Sequence, residues 1–153
     1  MPPSATVPDV GTPMPDLSLI GPTGVRTSLH AVRDATAAIA YFLRASTCPA
    51  CIAHARLLAG LAASGKLGGA RVILIAPGDD NEARLLAARI PSSAVSTWAS
   101  GTAHASAGMG SFLSIRHSGT FLIDAGGEVR YRRTAVLPPL SLNRGELLAA
   151  LDL

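Results

Sequence analysis

Residues 45–58 read A-S-T-C-P-A-C-I-A-H-A-R-L-L and hold both cysteines of the chain, Cys48 and Cys51, as a C-x-x-C pair. Directly upstream lies an apolar run, Ala37 to Leu43 (A-A-I-A-Y-F-L). Directly downstream comes a helix-like run, Ile52 to Leu61. The pair therefore sits where a buried strand hands over to a helix. That placement bears on the two meanings of C-x-x-C, a zinc half-site and a redox pair. Structural zinc takes four ligands, usually from two such pairs or from one pair plus closely spaced histidines. This chain has no second pair. A redox pair needs only two sulfurs and a helix N-terminus.

The chemistry follows from the placement. The thiolate is the nucleophile, not the thiol. The first turn of a helix directs unpaired N–H groups and the positive end of its dipole at Cys48. Both favour the charged sulfur, which makes Cys48 the expected attacking group. Cys51, one turn later, is expected to be more buried and to act as the resolving thiol. Pro49 falls at an early helical position, where a missing N–H costs nothing. The plain alternative is a pair of inert buried cysteines, since free Cys often serves as a small hydrophobe.

Composition narrows the class. A chain of 153 residues fits one domain with a real core. With 48% apolar residues it is not a disordered chain, and two cysteines are too few for a disulfide scaffold. The net charge of +3 is a mild bias and implies no nucleic-acid surface. No apolar run approaches the roughly 20 residues that span a bilayer. No signal peptide is visible at the N-terminus, so the expected location is cytoplasmic. A chain trimmed of an export signal would read the same.

Residues 1–13 carry four prolines and are expected to form a flexible arm, with the domain proper over 14–153. Asp16–Ile20, the turn Gly21–Gly24 and Val25–Leu29 read as a hairpin, followed by one helical turn to Arg33. Ala37–Leu43 has the length and continuity of a central strand covered on both faces. A helix runs from about Cys48 to Ala63. Arg71–Ala76 is a second buried strand. A helix to Arg89, capped near Asp79, precedes Pro91, which lies beyond its end. Ala94–Trp98 reads as a third parallel strand. Ala103–Phe112 reads as a weak helix, diluted by Gly108 and Gly110. Thr120–Asp124 and Glu128–Arg133, joined through glycines, form a hairpin. Asn143 and Glu146 look like a capping box opening the last helix. Alternation of this kind predicts an α/β fold, a mixed, mainly parallel sheet with helices on both faces. Arg130, Arg132 and Arg133 on the last strand read as a charged edge that discourages pairing with other chains.

Four stretches resemble the thioredoxin superfamily, and within it the redoxin branch of TlpA/ResA-type thiol–disulfide oxidoreductases and peroxiredoxins. Val10-Gly-Thr-Pro-Met-Pro-Asp-Leu17 is similar to the opening of redoxins. Ala40-Tyr-Phe-Leu43 and Cys48-Pro-Ala-Cys51 resemble the active-site strand and motif. Thr120-Phe-Leu-Ile-Asp124 with Gly127 resembles the late hairpin. Ser46-Thr-Cys-Pro-Ala-Cys51 is also similar to thioredoxin-like proteins that help mature methylamine dehydrogenase. The resemblance spans residues 10 to about 135. It implies a thioredoxin-like three-layer fold with an N-terminal β-hairpin.

This chain departs from its relatives at three positions. Relatives usually carry an aromatic residue before the first cysteine, where Thr47 stands. The oxidoreductases carry a cis-proline where Ser118 stands, and peroxiredoxins an arginine; Arg116 falls two residues short of it. ResA-type proteins carry a glutamate where His54 stands. Imidazole titrates near pH ~6.5 when unperturbed, so His54 is a candidate to take the Cys51 proton during resolution. Thr47, Pro49, His117 and Ser118 are the resemblance-based candidates for contact with substrate. A Cys₂His-type metal or iron–sulfur site using Cys48, Cys51 and His117 or His54 is sterically conceivable. Dithiol chemistry needs neither metal nor cofactor, and none is expected.

These readings point first to a thiol–disulfide oxidoreductase acting on a protein or small-molecule disulfide or dithiol, served by an unidentified redox donor. A peroxiredoxin-like thiol peroxidase is the second reading. The threonine that assists peroxide in that family stands three residues before the nucleophile. Here that position holds Ala45 or Cys48, according to which cysteine attacks. A non-catalytic or specialised pathway protein that keeps the fold is the third, and Thr47 and Ser118 argue for it.

Overall fold

The computed structural model describes residues 8–101, 111–112, 115–116, 118–135 and 138–151. Its first strands, β1 (Ser18–Ile20) and β2 (Arg26–Ser28), pair antiparallel around Gly21–Gly24. Helix α1 (Leu29–Arg33) follows, capped by the Ser28 hydroxyl. Then come β3 (Ala38–Phe42), α2 (Pro49–Ala63), β4 (Arg71–Ala76), α3 (Asp80–Arg89) and β5 (Val95–Ala99). Short β6 (Ser111–Phe112) and β7 (Ile115–Arg116) pair with each other. The chain ends with β8 (Ser118–Ile123), β9 (Val129–Ala135), a 3₁₀ turn at Pro138–Leu140 and α4 (Arg144–Leu151).

Seven strands form one mixed sheet in the order β2-β1-β5-β4-β3-β8-β9. β3, β4 and β5 run parallel, as their helical crossovers require. β8 and β9 add an antiparallel flank on one side and the β1–β2 hairpin another on the opposite side. β3 lies in the interior of the sheet, and all five of its residues are buried. Its side chains alternate between two cores. Ile39 and Tyr41 face a layer built with Cys51, Ile52, Ala55 and Leu58 of α2, Leu86 of α3 and Leu147 of α4. Ala38, Ala40 and Phe42 face the other, with Met14, Leu17, Leu19, Leu29 and Phe121. This is the expected three-layer α/β arrangement with its N-terminal hairpin, but the sheet is not mainly parallel: only β3–β4 and β4–β5 pair parallel, while hairpins and the crossing of β8 beside β3 make the other pairings antiparallel.

Two further expectations change. Prolines and small residues predict a loose arm over residues 1–13, of which the structure describes 8–13. Instead Gly11 N–H donates to the Val129 carbonyl, Val129 N–H to the Thr12 carbonyl, and Pro13 bridges Glu128. Backbone bonding to a sheet edge outweighs the weak packing potential of the side chains. Most of the weak helix expected over 103–112 falls outside the described residues. Its last two positions, Ser111 and Phe112, are extended and pair with β7. The three arginines of β9 do mark a charged edge, and each has an acidic partner, Asp124, Asp9 and Glu146 respectively.

A buried cation that the sequence did not signal ties α1 to the late hairpin. Arg33 is 6% exposed. Its guanidinium donates to the carbonyls of Thr36, Asp124 and Ala125 at 3.2, 3.0 and 3.1 Å. The turn it grips needs Gly127, whose φ of +91° is left-handed and whose missing Cβ would stand 3.2 Å from the guanidinium.

Candidate functional site

The site forms at the C-terminal end of β3, where the chain leaves the sheet and enters α2. The Ala45–Thr47 loop brings Cys48 to the N-cap position with extended backbone (φ −71°, ψ 115°), and Pro49 takes the first helical position. The first turn of α2 contains no acidic residue. The Cys48 sulfur takes the capping role, accepting the Cys51 N–H at 3.4 Å. Helix periodicity carries Cys51 onto the inward face of α2, with Ala55 and Leu58. Both sulfurs are free thiols. Cys48 is 6% exposed and Cys51 is fully buried, which matches the expected order of an outer and an inner thiol.

The loop before Cys48 is held from α3. Ser46, itself buried, donates its hydroxyl to the Glu82 carboxylate in a short hydrogen bond. Thr47 and Pro49 are exposed beside the pair.

The inner sulfur faces a cluster of hydroxyl groups. The Arg44 N–H donates to Cys51 Sγ at 3.3 Å, and Ser118 Oγ lies 3.8 Å from the same sulfur. Ser118 donates to the Phe42 carbonyl at 2.8 Å and stands 3.0 Å from Ser141 Oγ and 3.2 Å from the Tyr41 hydroxyl. Tyr41 lies 2.9 Å from Ser141 Oγ and 3.0 Å from His54 Nδ1. Thr120 donates to the Ser141 carbonyl at 2.7 Å, which fixes that loop under the sheet. The Tyr41 and His54 rings meet edge to face, with centroids 5.8 Å apart.

Burial sets the electrostatics. It pushes the Cys51 thiol up, and the hydrogen bond with Cys48 adds to the rise. Burial drives the Tyr41 phenol far above its ordinary range. It also lowers His54, which is therefore neutral near pH ~7.

The structure thus brings Cys48, Cys51, His54 and Ser118 into one site. Two of them sit differently from expectation. His54 engages Tyr41 rather than a sulfur. Ser118, expected to face substrate, is fully buried and turns its hydroxyl inward, because β8 lies inside the sheet and Cys51 and Ser141 stand over this position. His117 lies outside the described residues. Among the described residues no three His, Cys, Asp or Glu side chains converge as a metal site. Tyr41, Ser46, Glu82 and Ser141 were not anticipated. Tyr41 carried a usable signal, since a phenol in an apolar central strand must find a buried partner.

Residues 9–151 match the family model described as Redoxin. No curated protein matches the sequence. Among solved structures, the chain is similar to a peroxiredoxin-like protein from Aquifex aeolicus (13% identity, TM-score 0.80, 95% of this chain and 87% of that one). It is also similar to peroxidoxin BcpB from Mycobacterium tuberculosis (18% identity, TM-score 0.75, 95% and 97%). A third is a secreted Mycobacterium tuberculosis disulfide oxidoreductase homologous to E. coli DsbE (15% identity, TM-score 0.63, 90% and 95%). At such identities these likenesses speak for the fold.

Proposed function

Because this chain belongs to the Redoxin family of thiol-based redox proteins, we propose that it is a thiol–disulfide oxidoreductase working through Cys48 and Cys51. One observation carries the reading: an outer thiol at a helix N-cap stands beside an inner thiol one turn on, both free and backed by a polar pocket. The Cys48 thiolate attacks one sulfur of a substrate disulfide. A Cys48–substrate bond forms, and the other substrate sulfur leaves as a thiolate. Cys51 then attacks Cys48 Sγ, expelling the second substrate sulfur. The substrate gains two electrons, and the Cys48–Cys51 disulfide records their loss until an external dithiol restores it. Run backwards, the same steps oxidise a substrate dithiol. Exposed Thr47 and Pro49 flank the outer sulfur and supply the first contact surface.

The test is equilibration with glutathione buffers, followed by trapping and weighing of free thiols. The expected result is a reversible two-electron couple between about −270 and −120 mV, abolished in Cys48→Ser. Absence of any reversible couple refutes the reading.

A further inference from the structure

Cys51 must lose a proton before it can attack, yet its sulfur has no exposed surface. The geometry points to a relay through which that proton leaves: Cys51 to Ser118, Ser118 to Tyr41, Tyr41 to His54. This deepens the dithiol reading and rests on it. The links are 3.8 Å from Cys51 Sγ to Ser118 Oγ, 3.2 Å from Ser118 Oγ to the Tyr41 hydroxyl, and 3.0 Å from there to His54 Nδ1. Ser141 Oγ braces the middle and offers a weaker branch to His54 at 3.5 Å.

Each member suits its place. Ser118 rests with its hydrogen on the Phe42 carbonyl, which can only accept. Its oxygen is then open to the Cys51 S–H. Rotation about the Cβ–Oγ bond carries its own hydrogen to Tyr41. Tyr41 is too hard to ionise to store charge, so it passes a hydrogen on as it receives one. His54 accepts at Nδ1, which requires its own hydrogen on Nε2. It is half-buried, so the proton can pass on to solvent. The transfer balances: Cys51 thiol and neutral imidazole become Cys51 thiolate and imidazolium. The thiolate left behind keeps the Arg44 N–H as its donor. It then attacks Cys48 Sγ of the mixed disulfide.

The titratable groups facing His54 are Tyr41 on β3 and, through the hydroxyls, Cys51 on its own helix. Ser141 faces it from the loop before α4. Arg133 of β9 and Glu146 of α4 pair with each other. Burial alone accounts for the lowering of His54. Ser118 and Tyr41 therefore carry the proton in the resolving step, Ser141 positions them, and none of the three acts in the first attack.

Single-turnover reaction with a nitrobenzoate disulfide separates the two steps, because attack by Cys48 releases one coloured thiolate and attack by Cys51 releases a second. Tyr41→Phe and His54→Ala are expected to slow the second release about tenfold or more and leave the first unchanged. The pH profile of the second release should lose its acidic inflection. The double variant should be no slower than either single one. Free imidazole should restore the second release in His54→Ala. The relay is overturned if both variants keep the wild-type second step and its pH profile, if both releases slow equally, or if imidazole rescues nothing. A wild-type protein that never makes the second release defeats the dithiol reading and the relay together. One that makes both releases, with variants unaffected, defeats the relay alone. Should Tyr41→Phe fail to fold, half-buried His54 and the imidazole rescue carry the test.

Discussion

Gly78→Ala should destabilise the protein and loosen the loop that carries Cys48, although residue 78 lies between β4 and α3. Gly78 has φ +117°, outside the region open to side chains, and holding alanine there costs about 1–3 kcal/mol. A Cβ at this position would lie 2.5 Å from Glu82 Cγ. Glu82 must swing away, and its carboxylate then leaves Ser46, which adds about 1 kcal/mol. The smaller entropy of an alanine in the unfolded chain returns about 0.4–1 kcal/mol. The net loss is about 1–3.5 kcal/mol, or about 2–14 °C in Tm for a domain of this size. Thermal unfolding followed by circular dichroism measures it. A double-mutant cycle isolates the mechanism: in a Glu82→Ala background the clash has no target, so Gly78→Ala should cost about 1 kcal/mol less. Cys48, 6% exposed in the wild type, should also alkylate faster in Gly78→Ala. Additivity of the two substitutions, or a Gly78→Ala protein as stable as wild type, would refute the account.

Three further outcomes are expected. Gly60 lies inside α2 with open space where a Cβ would stand, so Gly60→Ala should stabilise by about 0.5–1 kcal/mol, seen as a higher Tm. Arg33→Met leaves three carbonyls without their guanidinium donor and should lose about 2–3 kcal/mol in urea unfolding. Lastly, burial lowers His54 in the folded state, so below pH ~6.5 the unfolded chain binds a proton that the folded chain resists. The contribution is fully present above that pH and is lost as pH falls toward the folded value. Urea midpoints from neutral to mildly acidic pH should therefore fall more steeply for wild type than for His54→Gln.

The strand–helix junction was legible because each of its signals is local. A continuous apolar run marks β3, Pro49 marks the first helical position, and the cysteine spacing places one sulfur at the cap and the other a turn inward. Asp79 before α3 and the Asn143–Glu146 box before the last helix are equally local, and the Glu146 N–H does bond the Asn143 side chain at 2.9 Å. What the sequence could not show is which distant residues meet. Ser141 lies 100 residues from Tyr41 and reaches it only because β8 crosses beside β3 and the chain after β9 returns over that end of the sheet. Arg33 is 91 residues from the carbonyl of Asp124 that it grips. Such pairs depend on register and loop path, which hydropathy periodicity does not encode. The substitution of Ser118 for the relatives' residue was visible. The direction of its hydroxyl was not, because a lone serine carries no sign of the side to which it points.

The hydroxyl cluster is poor design for stability alone. Phenylalanine at 41 and alanine at 118 and 141 would fill much the same space, and replacing matched buried polar groups by apolar ones of similar shape is close to neutral. Each hydroxyl that stays must instead be satisfied in place, and a partly satisfied network is worse than an apolar core. Here the cluster is tightly matched: Ser118 meets a carbonyl, Tyr41 meets an imidazole, and Ser141 bridges the two. It is also confined to the side of β3 that faces Cys51, while the opposite side of the same strand packs Ala38, Ala40 and Phe42 in an apolar core. It opens on the half-buried histidine on the same helix as the two sulfurs. Polar groups concentrated under one thiol, beyond what packing asks, are what the proposed dithiol chemistry would require of Cys51, a sulfur that gains and loses charge in the buried interior.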